Sequence, residues 1–254
     1  MSSALIEARS PTTWRDLKRN VARILAECGY EVEVNKARLR RRGRANVDVY
    51  AFERTRSPDV IIVESRHWKR LVPQSVVHGF RDVVTTIHAQ RGFIVSAIGF
   101  EAEAVDAAAG TNIRLVDWEG FQEQFVRRWF ERYMVPRLEQ ESAALMQYME
   151  PINSRIRRKA EALPSERRKR FEALQRKYLV LSMAFTPNAW VSEPRGGLTW
   201  PDIPLRALLI SSHGVDLFSA DVLDAHALRP LLEALTGSYR DAIADLEEVF
   251  GDPP

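Results

Sequence analysis

Apolar and polar positions in the first half of the chain follow a helical period and then a strand period. Residues 12–28 carry apolar side chains every three or four positions, which predicts an amphipathic helix ending before Gly29. Segments rich in β-branched and aromatic residues follow, typical of strands. The predicted strands are 30–35, 46–52, 60–68, 92–97 and 113–117, and the predicted helices between them are 74–90 and 100–109. This α-β-β-β-α-β-α-β order predicts an α/β domain.

Helical spacing dominates the second half of the chain. It predicts helices over 121–134 and 137–149 on either side of Pro136, another from Pro164 to about Leu181, and one or two over 225–250. The proline- and glycine-rich residues 186–204 predict a loop, and 205–212 a buried strand. We therefore predict an α/β domain over 1–120 and a mainly α-helical C-terminal domain over 121–254.

Charge is distributed unevenly, although 37 Lys and Arg against 34 Asp and Glu leave a net charge of only +3. The segment from Lys36 to Arg44 between two predicted strands is predicted to be a loop, and six of its nine residues are basic. Residues 155–177 contain ten basic and three acidic residues, and residues 202–254 contain three basic and ten acidic ones. Basic segments of this kind can bind a polyanion, and acidic ones can contact a protein partner. The alternative is that all of these charges lie on solvated helix faces and loops.

Several classes of protein are disfavoured. No apolar run reaches the roughly 18–20 residues of a membrane span, and the N-terminus lacks the apolar core of a secretory signal. The single cysteine, Cys28, cannot form an internal disulfide. We therefore expect a cytoplasmic protein without membrane contact. The histidines lack zinc-binding spacing, and the nucleotide-binding loop G-x-x-x-x-G-K-[ST] is absent from the sequence.

Asp48, Glu64 and Arg66 are the residues most indicative of chemistry. Alternation along a strand places Glu64 and Arg66 on one face, and a charged residue such as Asp48 in the middle of a strand needs a partner. If the two strands pair, the carboxylates converge, and a shared proton, a cation or a divalent metal relieves their repulsion. Oxygen ligands suit Mg²⁺. The alternative without catalysis is a buried Glu64–Arg66 ion pair.

Asp48, followed after fifteen residues by Glu64-Ser65-Arg66, resembles the metal-binding signature of the Mrr-type restriction endonuclease catalytic domain. That family belongs to the nucleases marked by Asp, then Glu or Gln, one residue, and Lys. The flanking segments agree in order and spacing over about residues 12–120: they are 29–34, 46–49, 61–64, 92–96, 99–100 and 113–115. The resemblance implies a mixed sheet flanked by helices and Mg²⁺- or Mn²⁺-dependent cleavage of DNA, most often in bacterial defence against foreign DNA. It also implies a homodimer, since cutting both strands takes two sites.

The resemblance assigns Asp48 and Glu64 as metal ligands and makes Arg66 the third catalytic residue, where the family has lysine. Arginine stays protonated, so it could stabilise charge on the phosphate but could not act as a base. Lys69 and Lys36 are possible sources of the missing lysine. The family often has an acidic residue in its first helix, and its place falls near Lys18 rather than Asp16.

Other residues are assigned around this site. Asp16 and Gln74 are further candidates for it, and the predicted DNA-binding residues are Lys36, Arg38, Arg40, Arg41, Arg42, Arg44 and Lys69. The helical C-terminal domain would recognise a protein partner or the nucleic acid. The main alternative is a catalytically inactive subunit that binds DNA or scaffolds a defence complex, and an RNA-directed nuclease is a third reading.

Overall fold

A computed structural model describes residues 5–40, 43–54, 59–149, 154–184, 202–206 and 218–251, with the backbone alone for 36–40, 43–45, 154 and 184. The chain divides into two compact units. The first is Arg9–Arg132, and the second combines the described residues of Met1–Ala8 and of Tyr133–Pro254. No described helix is both long and apolar enough to cross a membrane.

The first unit is built on a five-stranded mixed sheet with the order β1-β2-β3-β4-β5. Its strands are β1 (Glu31–Arg40), β2 (Gly43–Glu53), β3 (Asp59–Arg66), β4 (Arg91–Ser96) and β5 (Ile113–Val116). The first three pair antiparallel, and β3, β4 and β5 pair parallel. This arrangement confirms the predicted mixed sheet. The third strand ends at Arg66 rather than at Trp68.

Helices flank the sheet as predicted. They are α1 (Trp14–Glu27), α2 (Gln74–Ile87), α3 (Ala102–Ala108) and α4 (Trp118–Trp129). Apolar residues of α2 and α3 form one core with Ile62 and Ile94. A Cβ at Gly92 of β4 would lie only 2.7 Å from Val84, so glycine permits the close approach of α2. Phe93, next along β4, instead contacts Phe121 and Phe125 of α4.

The basic run from Lys36 to Arg44 differs from the sequence prediction, which made it a loop. The described backbone there belongs to the ends of β1 and β2, paired from Lys36↔Val47 to Arg40↔Gly43. Charged residues are compatible with a strand when the ladder satisfies the backbone, so a high charge density alone did not indicate a loop. The result is a long basic hairpin instead of a basic connection.

The second unit is helical, as predicted for the C-terminal region. Its described helices are α5 (Val135–Met149), α6 (Ser154–Glu161), α7 (Ser165–Ala184), α8 (Ala220–Leu223) and α9 (Leu228–Phe250). A π-helical turn, Phe130–Met134, precedes α5; Pro136 lacks the N–H that a regular helix would use there. Phe250 of α9 packs against Tyr148 of α5 and Phe171 of α7.

The N-terminal segment is held to the start of α9. The backbone N–H groups of Leu228 and Arg229 donate to the carbonyls of Leu5 and Ile6 at 2.8 and 2.9 Å, and Arg229 pairs with Glu7 at 2.5 Å. Most of the predicted loop 186–204 and strand 205–212 falls on residues 185–201 and 207–217, outside the described residues. Those two predictions therefore stay predictions, except that Leu205 and Arg206 are helical.

Candidate active site

Asp48 and Glu64 come together because β2 and β3 pair in antiparallel register. The ladder runs to Val49↔Val63, and the next position on each strand is Asp48 and Glu64. Instead of a further ladder bond, Asp48 Oδ2 accepts a hydrogen bond from the backbone N–H of Ser65 at 2.9 Å. The two carboxylates therefore lie side by side where the two strands begin to separate.

The other edge of β2 is also irregular at Asp48. The β1–β2 register pairs Val34 with Val49 and Lys36 with Val47, but the ladder omits Asn35 and Asp48. Asn35 has a φ of 55°, in the left-handed region that asparagine tolerates better than most residues. Unusual backbone of this kind is concentrated at functional sites.

Lys18 of α1 joins this cluster. It is only 5% exposed, and its Nζ lies 2.8 Å from Asp48 Oδ1 and 2.6 Å from Asn35 Oδ1. The ammonium also lies 4.2 Å from the centre of the Trp14 ring, a cation–π distance. A lysine almost completely removed from water is thus held beside a carboxylate.

Sequence reasoning did not assign Lys18 to the site, although it identified the position. The signal was its spacing: Lys18 lies three and seven residues before Val21 and Leu25, on the apolar stripe of α1. Asp16 instead takes part in the hydrogen bonds at the start of α1. Its carboxylate accepts hydrogen bonds from Thr13 and Thr12 at 2.7 and 3.1 Å, and these bonds lower the pKa of the Asp16 carboxyl.

Glu64 and Arg66 form the second ion pair of the site. Arg66 Nη2 lies 2.5 Å from Glu64 Oε1, with the two side chains 27% and 15% exposed. The guanidinium also sits over the Trp68 ring, 4.8 Å from its centre. Its Nε is buried without a hydrogen-bond partner in the part of the chain that the structure describes. Arg66 therefore keeps one unused donor.

Burial raises the pKa of the Glu64 carboxyl from 4.5 to about 7. The positive charge of Arg66 opposes that rise in pKa, the neighbouring Asp48 carboxylate adds to it, and Lys18 opposes it. Desolvation outweighs the Arg66 contact because a carboxylate removed from water loses more hydration than one partly exposed partner replaces. Glu64 would therefore gain from a further cation.

The donors fit a hard divalent cation, since Asp48 and Glu64 offer only oxygen. Two carboxylates with water or main-chain oxygens can hold Mg²⁺, which usually keeps several waters. Among the described residues no group of three or more His, Cys, Asp or Glu side chains forms a metal cluster. A metal would also have to compete with Lys18 and Arg66 for the carboxylate oxygens.

The remaining predicted residues are placed differently. Gln74 is exposed at the start of α2, and Lys69 is exposed just after β3. Lys36, Arg38, Arg40 and Arg44 lie on the β1–β2 hairpin, but their side chains, with Arg41 and Arg42, lie outside the described residues. This hairpin extends beyond Val47, at the end of the sheet where β3 finishes in Glu64 and Arg66.

Comparison with known proteins points to one family. Residues 10–125 match the model of the Mrr catalytic domain, described as a restriction endonuclease. No curated protein matches the chain. Two solved structures are similar: the crystal structure of a protein of unknown function, AF1548 (15% identity, 94% of this chain and 99% of that chain, TM-score 0.37), and the DNA modification-dependent restriction endonuclease AspBHI (11% identity, 49% and 38%, TM-score 0.28).

Proposed function

We propose that residues 10–125, which match the model of the Mrr-type restriction endonuclease domain, are a divalent-metal-dependent DNA endonuclease. Domains of this family generally use divalent metals. The observation that carries the proposal is the meeting of Asp48 and Glu64 on adjacent strands, within the segment that matches the family. The basic hairpin at the same end of the sheet provides charge that suits a DNA backbone.

In the proposed mechanism Asp48 and Glu64 would hold the metal, Mg²⁺ or Mn²⁺. The chemistry supplied there would be that of a Lewis acid toward the phosphate and the attacking water. Lys18 and the Ser65 N–H fix the two oxygens of Asp48. Arg66 stays protonated at every working pH, so it stabilises the negative charge that develops on the phosphate and does not remove the proton from water.

Plasmid cleavage tests this function. Supercoiled DNA, single-stranded DNA and RNA are each incubated with wild type, Glu64→Ala, Arg66→Lys and Lys18→Gln in Mg²⁺ or Mn²⁺. Glu31→Ala is the matched control, because Glu31 contacts Arg54 in an exposed pair. We expect wild type and Glu31→Ala to cut DNA and Glu64→Ala to be inactive. Cutting by Glu64→Ala equal to that of wild type would refute the site.

A second candidate function is a non-catalytic subunit that binds DNA or scaffolds a defence complex. The observation in its favour is that each carboxylate already has a cationic partner, Lys18 for Asp48 and Arg66 for Glu64. This candidate predicts that Mg²⁺ and Mn²⁺ leave the melting temperature of the protein unchanged. The endonuclease predicts a rise with metal that Glu64→Ala abolishes, since a ligand that binds only the folded state stabilises it.

The biological setting is also a proposal. We place the protein in bacterial defence against foreign DNA, acting as a homodimer, with the acidic residues 202–254 contacting a protein partner. Deletion of 202–254 would remove α9, so charge substitutions on it are the appropriate test. Replacing the exposed Asp241 by Ser and the exposed Glu233 of the same helix by Gln is expected to weaken co-purification of a partner at low salt.

A further inference from the structure

The second compact unit carries a basic surface that the proposed catalytic site does not use. Helices α6 and α7 contact each other, and residues 155–177 of this pair contain ten basic and three acidic side chains. Every basic residue among them except Lys159 is exposed. Arg157 of α6 and Arg168 of α7 line the same cleft of about 350 Å³. Basic residues of the two helices therefore lie together, and residues 155–177 form what we call the α6–α7 surface.

Acidic residues of α9 pair with one row of side chains on α7. Arg170 lies 2.7 Å from Glu248 of α9. Lys177, about two turns further along α7, lies 3.6 Å from Asp245 of the same partner helix. The side of α7 that faces α9 is thus partly neutralised within the unit.

The three acidic residues of the α6–α7 surface leave it strongly positive. Glu161 pairs with Arg157 at 3.6 Å and Glu166 pairs with Lys169 at 3.0 Å. These four side chains are between 64% and 83% exposed, so water and salt weaken both pairs. Glu161 and Glu172 also line the cleft, so the exposed arginines suit a phosphate better than the interior of the cleft does.

Arg167, Arg168 and Arg176 of α7 supply charge that the unit leaves uncompensated. All three are exposed, and their guanidinium groups form no ion pair within the part of the chain that the structure describes. Arg168 and Arg176 lie about 12 Å apart along the helix axis, since a helix rises about 1.5 Å per residue. Exposed charges of one sign create a field that attracts a polyanion. A chain of repeated phosphates would meet several of these arginines at once.

We propose that the α6–α7 surface binds the sugar–phosphate backbone of DNA, as a contact additional to the basic hairpin. The inference rests on the proposed function for the identity of the polyanion, since an endonuclease has DNA as its substrate. Seven of the ten basic residues are arginines, whose planar guanidinium can donate two hydrogen bonds to one phosphate. No large apolar side chain is exposed over 155–177, whereas helices that lie on membranes bury an apolar face in the lipid.

Salt-dependent DNA binding by the full-length protein tests this proposal. Fluorescence anisotropy of a short labelled duplex measures the affinity at several salt concentrations, in EDTA so that no metal-dependent cleavage occurs. In the double variant Arg168→Gln/Arg176→Gln we expect the slope of log affinity against log salt to fall by about 2, because each lost phosphate contact removes about 0.9. The affinity at low salt is expected to fall about tenfold or more. Glutamine is a good helix former, so α7 is retained.

The matched control is the double variant Arg137→Gln/Arg240→Gln. Both of these arginines are exposed in the same unit and pair with Glu141, and the change removes the same net charge. We expect its slope to equal that of wild type. A wild-type slope in Arg168→Gln/Arg176→Gln, or the same fall in both double variants, would overturn the proposal.

Cleavage and vesicle binding separate this inference from its alternatives. If wild type cleaves DNA and Arg168→Gln/Arg176→Gln keeps the wild-type slope, the surface proposal fails and the endonuclease stands. A reduced slope in a protein that cleaves no DNA supports the surface and refutes the endonuclease, whereas a wild type that binds no DNA overturns both. Loss of binding to phosphatidylcholine–phosphatidylserine vesicles in the double variant, with DNA affinity unchanged, would make this a membrane surface and overturn the proposal.

Discussion

The two ends of β3 both carry partly buried charged side chains, but the contacts of these side chains differ. At the first end, Asp59 accepts from the Tyr30 hydroxyl at 2.8 Å and pairs with Arg91, and Arg128 donates to the same hydroxyl at 3.0 Å. At the last end, Glu64 has one cationic contact, and Arg66 Nε is without a hydrogen-bond partner among the described residues. At the first end Arg128 Nη2 also has no hydrogen bond of good geometry among the described residues, but it lies 2.8 Å from Glu53, whereas Arg66 Nε at the last end has neither a hydrogen bond nor an ion pair there. The first end is therefore the more completely connected network.

This difference separates a structural role from a binding role. A fully connected polar network fixes the fold around it, and an incompletely satisfied one destabilises the protein unless a ligand completes it. The pKa values agree in direction with this view. Burial and the Asp59 carboxylate raise the pKa of the Tyr30 hydroxyl to about 12, so the hydroxyl stays neutral and donates. The pKa of the Glu64 carboxyl rises to about 7, so near neutral pH both its charged and its neutral form are present.

The largest expected difference between the two ends is in catalysis. Glu64→Gln removes a proposed metal ligand, and we expect the rate of plasmid cleavage to fall by about 10³-fold or more. Asp59→Asn at the other end keeps the side-chain shape, and the same rate is expected to change only severalfold. Cleavage time courses with enzyme in excess measure both rates. A comparable loss of rate in the two variants would remove the distinction.

The next difference concerns stability and pH in metal-free buffer. Below pH 4.5, the ordinary pKa of a glutamate, the Glu64 carboxyl is protonated in both the folded and the unfolded protein. Between pH 4.5 and about 7 it loses its proton in the unfolded chain but keeps it in the folded protein. The folded state then binds more protons, so stability falls as pH rises through this window, and the shift corresponds to about 3 kcal/mol. Chemical denaturation at several pH values should show this fall in wild type relative to Glu64→Gln. Parallel curves for the two proteins would contradict it.

The protein should lose stability when the network at the first end of β3 is broken. Asp59→Ala leaves Arg91 without its carboxylate and the Tyr30 hydroxyl without an acceptor, and we expect the free energy of unfolding to fall by about 2 kcal/mol. That figure is below the usual loss for a fully buried pair, because Arg91 is about a third exposed. Glu31→Ala breaks an exposed pair with Arg54 and should change stability by less than about 0.5 kcal/mol. Urea denaturation compares the two variants.

Much of the last end of β3 could be predicted from the sequence. Strand periodicity places residues on faces, and the short connection indicated that the two strands are neighbours, so Asp48 and Glu64 were predicted to converge if those strands pair. Lys18 was not assigned to the site, because periodicity shows that a helix position is buried without showing what it faces. Asn35 was also missed, since periodicity shows neither a left-handed residue inside a strand nor its tertiary contact with Lys18.

The secondary structure of the basic hairpin was not predicted from the sequence. Its charges were recognised, but the segment was interpreted as a loop, because a run of charged residues gives no alternating pattern that would indicate the pairing of β1 with β2. Backbone pairing depends on partners distant in sequence and only partly on side-chain type. The connected end of β3 was not predicted either: Tyr30, Asp59, Arg91 and Arg128 come from four different elements or their edges, and only the folded sheet brings them together.

The smallest expected difference between the ends is in salt dependence of DNA binding. Each phosphate contact made by a basic residue contributes about 0.9 to the slope of log affinity against log salt. Arg38→Ser on the hairpin, at the end of the sheet with Glu64, is expected to lower that slope by about 1. Arg54→Ser lies at the end with Asp59, where Arg54 is 78% exposed, and should leave the slope unchanged. Titrations at several salt concentrations measure both slopes; equal reductions would mean that DNA lies along the whole sheet, and the hairpin would lose its special role.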